Sequence, residues 1–171
     1  MGKKNNPRSD DYYNALAKKE GYPARSVYKL MEIQKRFAVF RRESSVLDVG
    51  AAPGSWSLYV LRNISEKGFL ASIDLKPLEI KWKGSNFKAF EGDAFSDENI
   101  SRIMETGLFD TVLSDAAPAT TGNRIVDTGK SLQLVTSVID LADKVLKPGG
   151  DLVLKIFQGG EEKQVMEKMR M

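Results

Sequence analysis

A lysine in an otherwise apolar run is the residue that most clearly suggests chemistry. Lys155 stands within residues 152–157, which read LVLKIF. A charged amine in such a strand is costly to bury unless it has a partner. One explanation is a strand-end lysine whose ammonium reaches water. The other is a general base, an amine that desolvation and a nearby cation make easier to deprotonate. We predict that Lys29 is this cation and that Asp115 orients the ammonium groups, so Lys29, Asp115 and Lys155 form a catalytic group.

The residue types that the chain lacks narrow the possible chemistry. The sequence contains no histidine and no cysteine. These absences exclude a Ser-His-Asp triad, a thiolate nucleophile, a zinc knuckle and a disulfide. A general base must therefore be Lys, Asp, Glu or Tyr. We expect no metal site.

A turn of small residues indicates a ligand-binding loop. Residues 48–56 read DVGAAPGSW, and small side chains let the backbone approach a ligand closely. In the dinucleotide fingerprint G-x-G-x-x-G, Ala52 stands at the position of the second glycine and Ser55 at that of the third. Pro53 also removes one of the amides that a pyrophosphate would need. We therefore predict a nucleoside ligand without phosphates, S-adenosylmethionine (SAM). An NAD-dependent oxidoreductase is the disfavoured alternative.

Carboxylates at the ends of the predicted strands complete the expected cofactor site. Asp74 lies where an acidic side chain could accept hydrogen bonds from both ribose hydroxyls. Asp93 could accept a hydrogen bond from the exocyclic amine of adenine. Taken alone, each acid is better explained as a turn residue. Trp56 could pack on the cofactor or equally well in the core. The residues predicted to bind the cofactor are Gly50, Gly54, Trp56, Asp74, Asp93 and Asp115.

Strand-like and helix-like runs alternate along the chain and must position these residues. Strands are predicted at 45–50, 68–74, 86–91, 109–115 and 151–157, and helices at 55–65, 97–106, 129–146 and 160–170. Two helices precede them, at 10–20 with Asp10 or Asp11 as N-cap and from about residue 25. The alternation predicts an α/β fold with a mostly parallel sheet and helices on both faces. Ligands bind such sheets at the carboxyl ends of the strands.

The charge distribution indicates a polyanionic partner. The 171 residues carry +3 in total, yet residues 1–42 hold 11 Lys or Arg against 4 Asp or Glu, and residues 43–171 hold 15 against 19. We predict a basic, helical segment at 1–42 that binds nucleic acid, which the family resemblance given below implies is RNA, and a cofactor-binding catalytic domain at 43–171. A solvated helical surface is the alternative. The candidate phosphate contacts are Lys3, Lys4, Arg8, Lys18, Lys19, Arg25, Lys35, Arg36, Arg41 and Arg42.

Other sequence features bear on stacking, location and assembly. The tyrosines Tyr12, Tyr13, Tyr22 and Tyr28 lie among the basic residues and could stack on bases, although more of them are expected to be packing residues. No apolar run approaches the roughly 20 residues of a bilayer span, and the N-terminus has no apolar signal region. We expect a cytoplasmic monomer with no membrane association.

Four motifs resemble the FtsJ/RrmJ family of RNA ribose 2′-O-methyltransferases. They are residues 24–30 (ARSVYKL), 48–56 (DVGAAPGSW), 114–118 (SDAAP) and 153–159 (VLKIFQG). The resemblance implies a Rossmann-like, SAM-dependent enzyme with a Lys-Asp-Lys-Glu tetrad, whose first three members match Lys29, Asp115 and Lys155. In that family the second lysine deprotonates the ribose 2′-hydroxyl, and the oxygen attacks the SAM methyl in line. Compact bacterial members modify a uridine of 23S ribosomal RNA, usually on the assembled large subunit.

The sequence departs from that family in two places. The family's glutamate lies on a strand well beyond Lys155, and Glu161 and Glu162 come too early to replace it. We therefore expect that the chain is a C-terminally truncated fragment without the last two strands of a seven-stranded sheet. The family's Asn-x-Ser-Gly after the SDAAP motif is replaced by residues 119–122 (ATTG), which weakens the expectation of RNA contacts there. A transfer RNA methyltransferase and a non-catalytic RNA-binding relative stay as alternatives.

Overall fold

The alternating pattern folds into a single parallel sheet. The structure, a computed structural model, describes residues 7–119, 121–156 and 162–169. Lys3, Lys4, Thr120, Phe157, Gln158, Gly159 and Glu161 lie outside these residues, as do the side chains of Arg8 and Glu162. The strands are β1 (Ser45–Val49), β2 (Phe69–Asp74), β3 (Phe87–Glu91), β4 (Phe109–Ser114) and β5 (Leu146–Leu154). The helices are α1 (Pro7–Lys19), α2 (Val27–Phe37), α3 (Ser55–Asn63), α4 (Asp97–Met104), α5 (Arg124–Val145) and α6 (Glu162–Lys168).

The strand order places a crossover at the centre of the sheet. The order is β3-β2-β1-β4-β5, and every neighbouring pair is parallel. The chain moves outward from β1 to β3 and then returns to place β4 on the other side of β1. The carboxyl ends of β1 and β4 therefore border the crevice where ligands bind in such sheets. The predicted α/β class with a parallel sheet is confirmed.

Helices cover both faces of the sheet because side chains alternate along the strands. Leu47 of β1 faces a core formed with α4 and α5, which includes Ile103 and Leu141. Its neighbour Val46 faces the opposite core, which includes Leu30 of α2 and Leu61 of α3. Because α2 contributes to this second core, this helix of the basic segment is packed onto the sheet rather than appended to it.

Several element bounds differ from the sequence prediction. Helix α1 begins at Pro7, so Asp10 is not its N-cap and its carboxylate instead pairs with Arg25. Helix α5 begins at Arg124 rather than residue 129, because the Asn123 side chain accepts hydrogen bonds from two backbone N–H groups of the first turn. Strand β5 begins at Leu146 and pairs with β4 across a register shift. The residues 147–150 predicted to separate helix from strand thus belong to the strand.

Candidate active site

The turn after β1 is held by its own backbone amides. The N–H groups of Gly50 and Ala51 both donate to the carbonyl oxygen of Ile73, at 2.9 and 3.2 Å. The N–H of Ala52 donates to Asp74 Oδ2 at 2.9 Å, and Pro53 has no N–H. Three successive amides are therefore already used within the protein. A pyrophosphate, which needs free amides at this position, finds none on residues 50–53.

Gly50 is required by both backbone conformation and space. Its φ is +72°, a region that other residues rarely adopt. A Cβ at this position would lie 2.4 Å from the Cβ of Ala116, just beyond β4. The turns that follow β1 and β4 can approach this closely only because residue 50 is a glycine.

A cleft of about 540 Å³ opens at the carboxyl edge of the sheet. The residues that line it follow the ends of β1 to β4 and include four of the predicted cofactor-binding residues, Gly50, Asp74, Asp93 and Asp115. Apolar side chains such as Leu75 and Phe95 form much of the remaining wall. A pocket of this volume, apolar with a few polar groups, is typical of small-molecule sites.

The two carboxylates predicted to bind a nucleoside are fixed by short-range hydrogen bonds. Asp74 Oδ2 accepts from Ala52, and Asp74 Oδ1 accepts from the N–H of Lys76 at 2.9 Å. Asp93 Oδ1 accepts from the N–H of Phe95 at 2.9 Å. Each carboxylate oxygen has a second lone pair. These side chains are thus oriented by the backbone and retain acceptor capacity toward a ligand.

The three predicted catalytic residues come together at one side of the cleft. Lys29 Nζ lies 3.2 Å from Asp115 Oδ1, and Lys155 Nζ lies 3.1 Å from the same oxygen. Lys155 Nζ also donates to the backbone carbonyl oxygen of Asp115 at 2.5 Å. The lysine side chains are 58% and 27% exposed, in that order, so Lys155 is the less hydrated of the two. Two amines facing one carboxylate form an arrangement that can hold and exchange a proton.

Lys155 lies one residue beyond its strand rather than within it. Strand β5 ends at Leu154, and the N–H of Lys155 donates to the Ser114 carbonyl oxygen at 2.9 Å. This bond places Lys155 beside the end of β4 and so beside Asp115. The strand predicted at 151–157 thus ends earlier than expected, and the Lys155 side chain at its end is partly buried against Asp115.

A second, smaller pocket adjoins the cleft and contains a buried carboxyl that the sequence analysis passed over. Asp48 and Trp56 line it together with Asp115. Asp48 is 1% exposed and accepts a hydrogen bond from Ser57 Oγ at 2.6 Å. Burial raises the pKa of Asp48 to about 7, since the Ser57 hydroxyl offsets only part of the desolvation. A carboxylate in the apolar strand run 45–49 was the signal that could have found it.

Trp56 and Gly54 do not line the main cleft. Trp56 is buried in the core against α2, and its Nε1 donates to the carbonyl oxygen of Ser26 at 2.9 Å. Gly54 precedes α3 with φ +111°, and a Cβ there would lie 2.8 Å from Ile80. Both residues pack against the side of the turn that faces away from the main cleft.

The basic segment is divided between the two edges of the sheet. Lys29 reaches the site, but Arg41 and Arg42 precede β1 and therefore lie at the amino edge, opposite the cleft. Arg25 is engaged with Asp10. The remaining candidates Lys18, Lys19, Lys35 and Arg36 are exposed on α1 and α2; they are not part of the cleft lining.

The four tyrosines of this segment have different environments. Tyr22 is buried, and Tyr28 donates to Glu20 at 3.0 Å. Burial and this hydrogen bond raise the pKa of Tyr28 to about 12. Tyr12 and Tyr13 are largely exposed, and the Tyr13 ring contacts that of Tyr28 with centroids 5.4 Å apart. Only Tyr12 and Tyr13 have the exposure that stacking on a base requires.

The described residues contain neither a cluster of metal ligands nor a membrane-spanning helix. Among them, no group of three or more Asp or Glu side chains is arranged to hold a metal ion. In the same part of the chain, no helix has both the length and the apolar character of a bilayer span.

Solved structures of other proteins have the same fold. A ribosomal RNA methyltransferase of Plasmodium falciparum superposes with a TM-score of 0.76 at 24% identity, covering 87% of this chain and 86% of that chain. The MycE methyltransferase of the mycinamycin biosynthetic pathway, in complex with Mg and SAH, superposes with a TM-score of 0.56 at 17% identity, covering 84% of this chain and 36% of that chain. The fold is that of Rossmann-like methyltransferases.

Sequence similarity defines the family within that class. The FtsJ-like methyltransferase family matches residues 22–171. The ribosomal RNA large subunit methyltransferase E of Treponema denticola is 46% identical over 167 residues, which cover 98% of this chain and 84% of the relative. The chain belongs to the FtsJ-like methyltransferase family.

Proposed function

We propose that this protein transfers a methyl group from SAM to the 2′-hydroxyl of a ribose in large-subunit ribosomal RNA, with Lys155 as the general base. The target in this proposal is a uridine of 23S RNA, and the enzyme acts as a cytoplasmic monomer. The observation that carries the proposal is the convergence of Lys29 and Lys155 on Asp115 at the side of the cleft. The 46% identity to an enzyme named for the ribosomal RNA large subunit supports the choice of RNA.

The cleft has properties that fit SAM better than a dinucleotide. It combines two oriented carboxylates, Asp74 and Asp93, with apolar walls, which suits a ribose, an adenine ring and no phosphate. The backbone N–H groups of Gly50, Ala51 and Ala52 are bonded within the protein. When bound, SAM supplies an electrophilic methyl on a sulfonium. Asp74 would hold the ribose hydroxyls and Asp93 the adenine amine, while Gly54 and Trp56 would support the turn.

The chemistry of the lysine pair follows from counting donors and charges. Two ammonium groups and one carboxylate together carry a net charge of plus one. When one ammonium releases a proton, the group of three becomes neutral. A neutral amine at Lys155 keeps two N–H groups, enough for Asp115 Oδ1 and the Asp115 carbonyl oxygen, and gains one lone pair. In the proposal that lone pair accepts the proton of the ribose hydroxyl. Lys29 remains a cation, and Asp115 holds both amines in place.

The proposal also assigns RNA binding and cofactor binding to different parts of the chain. Segment 1–42 contacts RNA and contributes Lys29, while residues 43–171 hold the cofactor. The family tetrad also implies a glutamate, for which residues 43–156 offer no counterpart beside Asp115 in the contacts described. The proposed base chemistry depends on the three residues that are in contact.

Methyl transfer from labelled SAM into large ribosomal subunits that lack the modification tests the proposal. We expect label in 23S RNA at a single nucleotide, with the following phosphodiester resistant to alkali, because a 2′-O-methyl group blocks the attack that cleaves it. Label in alkali-sensitive nucleotides would contradict ribose methylation. Preferential labelling of transfer RNA would favour that alternative substrate, and RNA binding without transfer would favour a non-catalytic relative. Calorimetry with SAM and NAD distinguishes methyltransferase from oxidoreductase.

A further inference from the structure

An open basic groove of about 500 Å³ lies apart from the cleft. It forms where the end of α1, the exposed side of α3 and the loop between β2 and β3 meet. Its charged lining residues are Lys18, Arg62 and Lys81, with Glu79 as the one acid among them. Among the described residues, none of the three cations forms an ion pair with a carboxylate. Among the described lining residues, three cations face one carboxylate, so this part of the groove presents net positive charge.

Arg62 is held in place by contacts that leave its charge free. Its Nη1 donates to the backbone carbonyl oxygen of Glu20 at 2.9 Å, and its guanidinium lies over the ring of Tyr22, 4.4 Å from the centroid. The Glu20 carboxylate instead accepts the hydroxyl of Tyr28 at 3.0 Å. A guanidinium fixed by a carbonyl and an aromatic face is preorganised for an external anion, since little side-chain entropy is left to lose.

The other wall of the groove is tied to the turn that borders the cleft. The N–H of Glu79 donates to the Pro53 carbonyl oxygen at 2.9 Å, and Ile80 packs where a Gly54 Cβ would lie. Lys81 follows directly and is exposed. The groove is thus at a fixed distance from the cleft. One extended ligand that binds both sites at once needs such a fixed distance.

We propose that this groove binds a phosphodiester of the RNA backbone, at a nucleotide other than the one that is methylated. This inference rests on the proposed function. Arg62 supplies a planar donor set suited to phosphate oxygens, and Lys18 and Lys81 supply point charges on either side. Arg62 and Lys81 lie outside the basic segment 1–42, so the RNA-binding surface extends beyond that segment onto α3 and the loop between β2 and β3.

Single neutral substitutions in the groove test this proposal. Each of three variants removes one exposed positive charge: Arg62→Gln, Lys81→Gln and the control Lys144→Gln. Lys144 lies on α5, remote from the groove. Binding of a 23S RNA fragment is measured across a salt series, and methyl transfer is measured on the same fragment. We expect both groove variants to weaken RNA binding about 3- to 10-fold and to lower the magnitude of the salt slope by about 0.7–0.9. The KM for RNA should rise with kcat and SAM affinity retained, and Lys144→Gln should match wild type.

The outcomes separate this proposal from the proposed function. If wild-type protein methylates RNA and both groove variants behave as Lys144→Gln does, the groove assignment is wrong and the enzyme assignment stands. If wild-type protein neither binds nor methylates RNA, the proposed function itself fails. Among the described residues, Lys81 has no hydrogen bond or ring contact like those of Arg62, so the result for Lys81→Gln is decisive should Arg62→Gln lose structure. An equal loss of binding to polyglutamate would assign the groove to acidic surfaces in general and overturn the RNA assignment.

Discussion

The ammonium group of Lys155 contacts both the side chain and the main chain of Asp115. The Nζ atom of Lys155 lies 3.1 Å from Asp115 Oδ1 and 2.5 Å from the Asp115 carbonyl oxygen. The second of these acceptors is part of the backbone and cannot rotate away. The position of the amine is therefore defined by the end of β4 as well as by a mobile carboxylate.

The first prediction concerns this amine. Lys155→Met removes it, and Lys155→Arg keeps a cation that cannot be deprotonated. We expect both variants to lower methyl transfer at least about 100-fold, the usual contribution of a general base, with SAM affinity changed less than about two-fold. Labelled-methyl incorporation and calorimetry measure the two effects. Near-normal activity of Lys155→Arg would show that the charge matters and proton transfer does not.

The second prediction concerns the close approach of the turns after β1 and β4. Gly50→Ala places a Cβ 2.4 Å from Ala116 and imposes a positive φ, so we expect a loss of about 2–5 kcal/mol in the free energy of unfolding. Gly107→Ala is the control for backbone strain, because φ is +102° and, among the described residues, nothing beyond its chain neighbours lies within 4 Å of a Cβ at this position; backbone strain alone should cost about 1–2 kcal/mol. Denaturant unfolding measures both. Equal losses would mean that the contact with Ala116 is relieved at little cost.

The third prediction concerns pH and Asp48. The pKa of its carboxyl rises from 3.8 to about 7 in the folded protein. Between these values the unfolded chain ionises Asp48 while the folded protein keeps the proton, so its contribution makes folding less favourable as pH rises. Asp48→Asn retains an acceptor for Ser57 and removes this effect. We expect it to stabilise the protein by on the order of 1–3 kcal/mol at pH 8 relative to wild type, and far less near pH 4. Thermal unfolding across pH measures the difference; a variant destabilised most at pH 8 would contradict it.

The fourth prediction separates the two edges of the sheet. RNA affinity should fall steeply with salt if the basic surface binds phosphates, and a flat dependence would remove the basis for that surface. The double variant Arg41→Gln/Arg42→Gln removes two charges from the edge opposite the cleft. We expect its salt slope and its KM for RNA to stay within about two-fold of wild type. A loss as large as that of a groove variant would place RNA on the amino edge as well.

The sequence was sufficient to predict the order and type of the elements, because each strand run carries alternating or continuous apolar residues and each helix begins or ends at a recognisable signal. The ends of helices and strands were predicted less well where tertiary contacts determine them. Asn123 extends α5 by capping it, and pairing with β4 draws residues 146–150 into β5 despite a proline and two glycines.

The candidate site was predicted in part for a similar reason. Residues that share the carboxyl edge of a parallel sheet converge whatever their distance along the chain, which is why Asp115 and Lys155 could be grouped. Lys29 lies on α2, and it was predicted only as a cation that the basic helix could supply. Asp48 was overlooked because it was treated as part of a turn motif, although the reasoning applied to Lys155 applies to it as well. The groove at Arg62 could not be predicted, since its three cations come from separate elements with no common spacing.

Leu30 has a role that its burial alone does not suggest. It is fully buried against α3 and the sheet, and it is the immediate neighbour of Lys29 on α2. The packing of Leu30, together with that of Val27, therefore positions the helix backbone from which Lys29 reaches Asp115. A displacement of about 1 Å can cost about 100-fold in rate. The turnover number should thus depend on how well the hydrophobic core is packed. Substitutions in this core, remote from the cleft, should lower kcat while the enzyme remains folded.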